Sequence, residues 1–138
     1  MNIDAITNGI VIDHIPAGVG MKLYELLQLD ALDCSVAIIK NAHSRQDGKK
    51  DIIKIDGDIA LNFDLIGYFA PNAKINFIKD GILLEKRAVG LPKQLTNVIK
   101  CKNPRCITTV EQELDQVFRL TEPEHRVYRC IYCETKAN

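Results

Sequence analysis

No apolar run in this 138-residue sequence approaches the ~20 residues that a membrane span requires, so no transmembrane helix and no membrane partner are expected. Net charge is also missing: 18 Lys and Arg offset 18 Asp and Glu. That balance argues against nucleic-acid binding over the whole surface and leaves only a local basic patch open. The opening MNIDAITNGIVIDHIP has no basic region followed by an uninterrupted apolar stretch. A secretory leader is therefore not expected, and the cytoplasm is the expected location. There is no internal repeat, no low-complexity segment and no Gly-rich phosphate loop.

Catalytic constellations are lacking too. His43 sits in a polar stretch, His125 follows Glu122-Pro123-Glu124 in a turn-like segment, and His14 has no Cys or Ser at a spacing that suggests a dyad. A non-catalytic chain is expected.

What the sequence does have is four cysteines near its end, Cys101 and Cys106 in CKNPRC and Cys130 and Cys133 in CIYC. Two short pairs separated by a longer insert suit a tetrahedral metal, because each knuckle supplies two sulfurs and the insert returns the second pair opposite the first. Four soft thiolates form a closed shell, so the expected occupant is one structural Zn2+ with no open position for water or substrate. Residues 99–138 are too few for a self-sufficient core, and a metal supplies what burial does not. Four thiolates and one divalent cation leave a local charge of minus two, which Lys100, Lys102, Arg105 and Arg129 stand beside and offset, with nucleic-acid contact as the alternative role for these four. Cys34, far from the four, reads as an ordinary buried strand residue.

Taken in order, residues 3–15 read as a strand ending at Pro16, with Gly9 as a bulge or bend. Apolar spacing at positions 19, 23, 26 and 27 predicts a helix over 18–29. Strands follow at about 34–40 and 51–56, separated by a polar loop, SRQDGKK, at 44–50. The second of these alternates so that Ile53 and Ile55 share one face and Lys54 takes the other. Residues 60–69 suit a second helix stopped by Ala70-Pro71. Strands at 73–78 and 82–87 flank the hairpin signal Asp80-Gly81. This β-α-β-β-α-β order with one extra strand predicts an α+β chain beginning with a ferredoxin-like domain, an antiparallel sheet with two helices on one face and the other face free. A small C-terminal β zinc-ribbon or rubredoxin-like domain follows, with strands expected in TTVEQEL, QVFRL and RVYRC. Residues 91–98, with no clear period, read as a linker.

Lys49, Lys50, Lys54 and Lys86 could converge on one side of the first sheet, with Asp13 and Asn76 able to hydrogen-bond a base or ribose. Lysines scattered for solubility are the alternative. A zinc-ribbon nucleic-acid-binding adaptor is the competing function. RNA-reading sheets usually expose aromatics on their central strands, whereas these strands offer Ile, Val and Lys, with Phe77 the one aromatic candidate.

GIVIDHIPAG near the start, KKDIIKI and YFAPNAKIN in the middle, and the C-x4-C and C-x2-C pairs at the end occur in that order. Together they resemble the regulatory chain of aspartate carbamoyltransferase over nearly the whole length. The resemblance implies a nucleotide-effector domain at 1–90 and a zinc domain at 99–138 that docks on the catalytic chain. It also implies a regulatory dimer, with three such dimers bridging two catalytic trimers in the first committed step of pyrimidine synthesis. The implied effectors are CTP and ATP, and no nucleic-acid partner is implied. Carried over, Asp13 and Lys86 belong to the nucleotide site, with Ile6, Val11, Asn76, Ile78 and Leu83 shaping the base and ribose pocket. Lys54 would take phosphate, with His14 and Lys50 beside it. Asp4 stands where the family has a longer Glu, and Gly81 where it has a bulkier residue near the base.

Overall fold

A computed structural model describes residues 6–46 and 48–137. The chain divides into two compact units, Met1–Gly90 and Leu91–Asn138.

The first unit runs β1 (Gly9–Pro16), α1 (Gly20–Leu26), β2 (Val36–Ser44), β3 (Gly48–Ile55), α2 (Phe63–Phe69), β4 (Lys74–Lys79) and β5 (Ile82–Ala88). Its sheet has the order β2-β3-β1-β4-β5, and every neighbouring pair is antiparallel. This is the expected split pattern with β5 as the additional edge strand. Strand alternation explains the core: Ile10 and Ile12 of β1, Ile53 and Ile55 of β3 and Ile75 of β4 are all at most 1% exposed. Leu23 of α1 and Leu65 and Ile66 of α2 are buried with them. Each such side chain, fully buried, contributes about 1.5–3 kcal/mol. The alternate positions, Val11, Lys54 and Asn76, are half-buried on the other face. Gly9 is required where β1 comes close to β3, because a Cβ there would collide with the Ile55 carbonyl oxygen.

Several boundaries differ from the sequence reading. The first helix is shorter than 18–29, because Gln28 turns left-handed at φ 56 and a 3-10 turn, Leu29–Ala31, replaces its last residues. Among the described residues, the polar stretch at 44–50 keeps a turn only at Arg45 and Gln46; Ser44 ends β2 and residues 48–50 begin β3. Ser44 pairs with Gly48 and His43 with Lys49, so the two strands run almost to the turn. Main-chain pairing needs no apolar side chains at a hairpin end, which is why composition hid it. Cys34 lies half-buried at a bend before β2 and not within a strand, packed toward Gly57. Asn62 caps α2 by accepting from the Leu65 amide at 3.2 Å.

The second unit contains β6 (Gln94–Thr96), α3 (Ile107–Val110), β7 (Val117–Glu122) and β8 (Val127–Cys130), with an antiparallel sheet in the order β6-β7-β8. Residues 94–96, expected in a linker, form its first strand, and their one buried side chain, Leu95, is too short a signal to show a period. TTVEQEL, expected as a strand, opens instead with the short helix α3. Its β-branched threonines are recruited to the knuckle: the Thr109 hydroxyl donates to the Asn103 carbonyl at 2.8 Å, and Thr108 packs at Cys106. Leu95, Phe118 and Tyr128 make the small core, and the Tyr128 hydroxyl donates to the Pro92 carbonyl.

Candidate functional site

The antiparallel registers line up the open face of the first sheet in rows. Lys54 of β3 pairs with Val11 of β1, Val11 with Asn76 of β4, and Asn76 with Lys86 of β5. Four of the anticipated nucleotide residues therefore form one row across four adjacent strands, roughly 14 Å from end to end at normal strand spacing. A second row holds Gly9, Ile78 and Leu83. Ile6 leans on it, its Cγ2 lying 2.9 Å from where a Gly9 Cβ would be. Asn76 stands at the centre of the first row, and its Oδ1 is buried and has no hydrogen-bond partner among the described residues. Unpaired buried acceptors are rare because each costs about 1–3 kcal/mol.

Asp13 and His14 occupy a bulge in β1, where the register with β3 shifts between Ile12 and Ile15. His14 takes φ 58 there, and its amide donates to Asp13 Oδ1 at 2.6 Å. The Lys50 ammonium reaches the same oxygen at 2.9 Å. Burial pushes the Asp13 carboxyl up, but Lys50 and the His14 amide outweigh it and hold the group below the usual carboxylate value. So Asp13, His14 and Lys50 gather at one end of the face. Lys49 does not join them. Alternation puts it with Asp51 and Ile53 on the opposite side of β3, correcting the idea that all four lysines converge. Phe77, the candidate stacking aromatic, is also on the other side, paired with buried Ile10 and overlain by Arg87 at 5.7 Å. Asp4 lies outside the described residues, and Gly81, at φ 77, sits in the β4–β5 turn.

The four cysteines come together as their spacing requires. Their sulfurs all lie within 4.8 Å of one another, with Cys101 and Cys133 at 3.5 Å and Cys106 and Cys130 at 3.6 Å. A tetrahedral ion with metal–sulfur bonds of about 2.3 Å spaces its sulfurs by about 3.8 Å, so the set fits a metal, whereas a disulfide needs about 2.05 Å. The thiols do not ionise alike. Burial and the neighbouring sulfurs push Cys101 up to about 12. Burial also acts on Cys133, but the Thr135 hydroxyl and amide prevail and hold it down to about 6. A divalent cation favours the thiolate at all four.

Two residues that support this centre were not anticipated. The Thr108 hydroxyl lies 3.1 Å from Cys106 Sγ, and the Thr135 hydroxyl lies 3.2 Å from Cys133 Sγ. Each knuckle thus ends Cys-x-Thr, as Cys106-Ile107-Thr108 and Cys133-Glu134-Thr135, a pattern legible in the sequence. Hydroxyls placed this way orient the sulfur and steady its charge. Asp51 was also passed over. It alternates with Ile53 and Ile55 on the core face, and a carboxylate in such a position is the signal that could have found it.

Comparison with known proteins divides the chain in the same way. The family model for the allosteric domain of the aspartate carbamoyltransferase regulatory chain matches residues 1–90. The model for the metal-binding domain of that chain matches residues 93–138. The aspartate carbamoyltransferase regulatory chain of Bifidobacterium longum (strain NCC 2705) is 42% identical over 137 residues, covering 99% of each chain. The corresponding chain of Clostridium botulinum (strain Hall) is 46% identical over 134 residues, 97% of this chain and 92% of that one. The chain of that description from Clostridium tetani is 44% identical over 135 residues, 97% of this chain and 94% of that one.

Proposed function

Because this chain belongs to the family of aspartate carbamoyltransferase regulatory chains, as a non-catalytic subunit with an allosteric and a metal-binding domain, we propose that it binds nucleotide effectors on the open face of its first sheet and transmits their effect to catalytic chains docked on its second unit. The row Lys54, Val11, Asn76 and Lys86, with the Asn76 acceptor buried and, among the described residues, unpaired, is the observation that carries this reading. A ribose hydroxyl or an amino group of a base supplies the donor that this oxygen lacks. Ile6, Val11, Ile78 and Leu83 give apolar surface to the base and sugar, while Lys54 and Lys86, with Lys50 and His14 beside Asp13, attract the phosphates. For Asp4 the family resemblance implies a part in nucleotide binding.

The metal is zinc, one per chain, held by Cys101, Cys106, Cys130 and Cys133; four thiolates suit a soft tetrahedral ion and leave no position for a reacting group. Docking is supported by apolar side chains exposed at both knuckles: Ile107 at 50% after Cys106, and Ile131 at 48% and Tyr132 at 43% between Cys130 and Cys133. Exposed apolar groups grouped in this way mark interaction surfaces. Among the described residues, β2 and β5 are the edges of the first sheet, and edge strands are suited to pairing with a second copy in a regulatory dimer.

Regulation of this kind is a coupling free energy of typically about 1–3 kcal/mol between the nucleotide pocket and an active site on another chain. CTP, as end product of pyrimidine synthesis, favours the less active state and ATP the more active one. The test is carbamoyl-aspartate formation by the matching catalytic trimer against aspartate concentration, with and without this zinc-loaded chain and with CTP or ATP. The chain should shift the curve, and the two nucleotides should move it in opposite directions. A trimer that binds this chain yet ignores both nucleotides would overturn the effector reading, and a trimer that does not bind it would overturn the docking reading.

A further inference from the structure

Asp51 is a carboxylate with no exposure to solvent and, among the described residues, no cation within ion-pair distance. Its hydrogen-bond partners are main-chain amides. Oδ2 accepts from Gly18 at 3.0 Å and from Gly20 at 2.9 Å, and Oδ1 accepts from Asn41 at 3.0 Å. Those amides belong to the loop that leads into α1, to α1 itself and to β2, so one side chain of β3 ties three segments together.

Both strands beside β3 are irregular at this level. The register of β1 shifts between Ile12 and Ile15, that of β2 shifts between Ile39 and Ala42, and each bulge contains a left-handed residue, His14 at φ 58 and Asn41 at φ 57. Asp51 pairs across to Ile15 at the end of the first bulge and bonds the amide inside the second. Its chain neighbour Lys50 holds Asp13. Gly20 approaches so closely that a Cβ there would stand 2.9 Å from both Asp51 Cβ and Oδ2.

We infer that Asp51 is the positioning residue of the phosphate end of the nucleotide site: by fixing both bulges and the start of α1, it sets where His14 and Lys50 stand relative to Lys54. The inference rests on the nucleotide reading of the sheet face and deepens it. An apolar side chain would fill the space as Ile53 and Ile55 do, but would leave three amides unpaired where the carboxylate satisfies all three. The acid thus specifies backbone geometry at a place where two strands depart from regular pairing.

Two variants of the full zinc-loaded chain test this, Asp51→Asn and Gly20→Ala. The first turns an amide N–H2 toward at least one amide donor; the second leaves the carboxylate in place and displaces it. Calorimetric titration with CTP and with cytidine separates the phosphate end from the base and ribose. In both variants CTP affinity should fall about tenfold or more while cytidine affinity stays within about twofold. Equal losses for CTP and cytidine would show a general structural role and overturn the inference, as would unchanged CTP binding. Should Asp51→Asn not fold, as circular dichroism would reveal, Gly20→Ala makes the same comparison alone. A wild-type chain that binds neither ligand would defeat the nucleotide reading itself, and the inference with it.

Discussion

The two units of this chain are held together by different forces. Among the described residues, the first buries twelve apolar side chains, from Ile10 to Ile75, between a five-stranded sheet and its helices. The second buries four, Leu95, Phe118, Tyr128 and Ala137, besides Cys106 and Cys130. Below about 70–80 residues a single core rarely supplies more than about 3–5 kcal/mol, so the second unit leans on four sulfurs converging on an ion, and the first, with its larger core, does not. The difference also divides the chemistry. The self-sufficient unit can leave one sheet face polar and open for a ligand, while the metal-held unit has its whole small interior committed to staying folded.

The largest expected effect breaks the comparison at the metal. Chelation, or Cys106→Ala, removes a site whose apparent contribution is about 10–16 kcal/mol at neutral pH. The second unit should unfold while the first keeps its sheet, seen as amide signals lost from residues 91–137 and retained from 6–90. Loss of both sets together would show that the units are not independently stable.

In the other direction, Ile53→Ala opens the first core at a site with no exposure to solvent and should destabilise that unit by about 2–5 kcal/mol. Urea unfolding with a probe in each unit should move only the first transition. A smaller effect is expected of Thr108→Val, which removes the hydroxyl beside Cys106 and nearly keeps the side-chain shape. Metal affinity should drop about 10–100-fold in a chelator competition, with unfolding of the first unit unchanged.

The smallest effect belongs to Asp13. Its folded pKa lies below its ordinary value of 3.8, so its pairing with Lys50 and the His14 amide stabilises the fold above that value, and the contribution is lost as pH falls through the folded pKa. Since the pair is partly solvated, Asp13→Asn should lower stability by at most about 1 kcal/mol near neutral pH, and the difference should vanish in acid. A deficit that persisted in acid would mean that Asp13 acts through packing.

Where alternation or spacing was strong, the sequence was readable. The element order of the first unit followed from the extended stretch at 3–15, the alternation of Ile53 and Ile55 about Lys54, and the Asp80-Gly81 turn, and the metal centre followed from two cysteine pairs. What escaped depended on contacts between distant residues. Residues 94–96 form a strand because β7 is there to pair with, not because three residues show a period. Threonines at 108 and 109 suggested a strand and serve a knuckle instead. Asp51 binds amides 31 and 33 residues earlier, a relation that no local pattern displays. The row from Lys54 to Lys86 was only half visible, since alternation gives the face of each strand but register decides which residues meet.

The most direct test of the division between the units is a calorimetric titration of CTP into the full chain, with zinc and after its removal. If the first unit folds and binds on its own while the metal serves only the second, CTP affinity should agree within about twofold between the two samples. Loss of CTP binding on removing the metal, in a chain that binds CTP when loaded, would contradict the account: the open sheet face would then depend on the centre in the other unit.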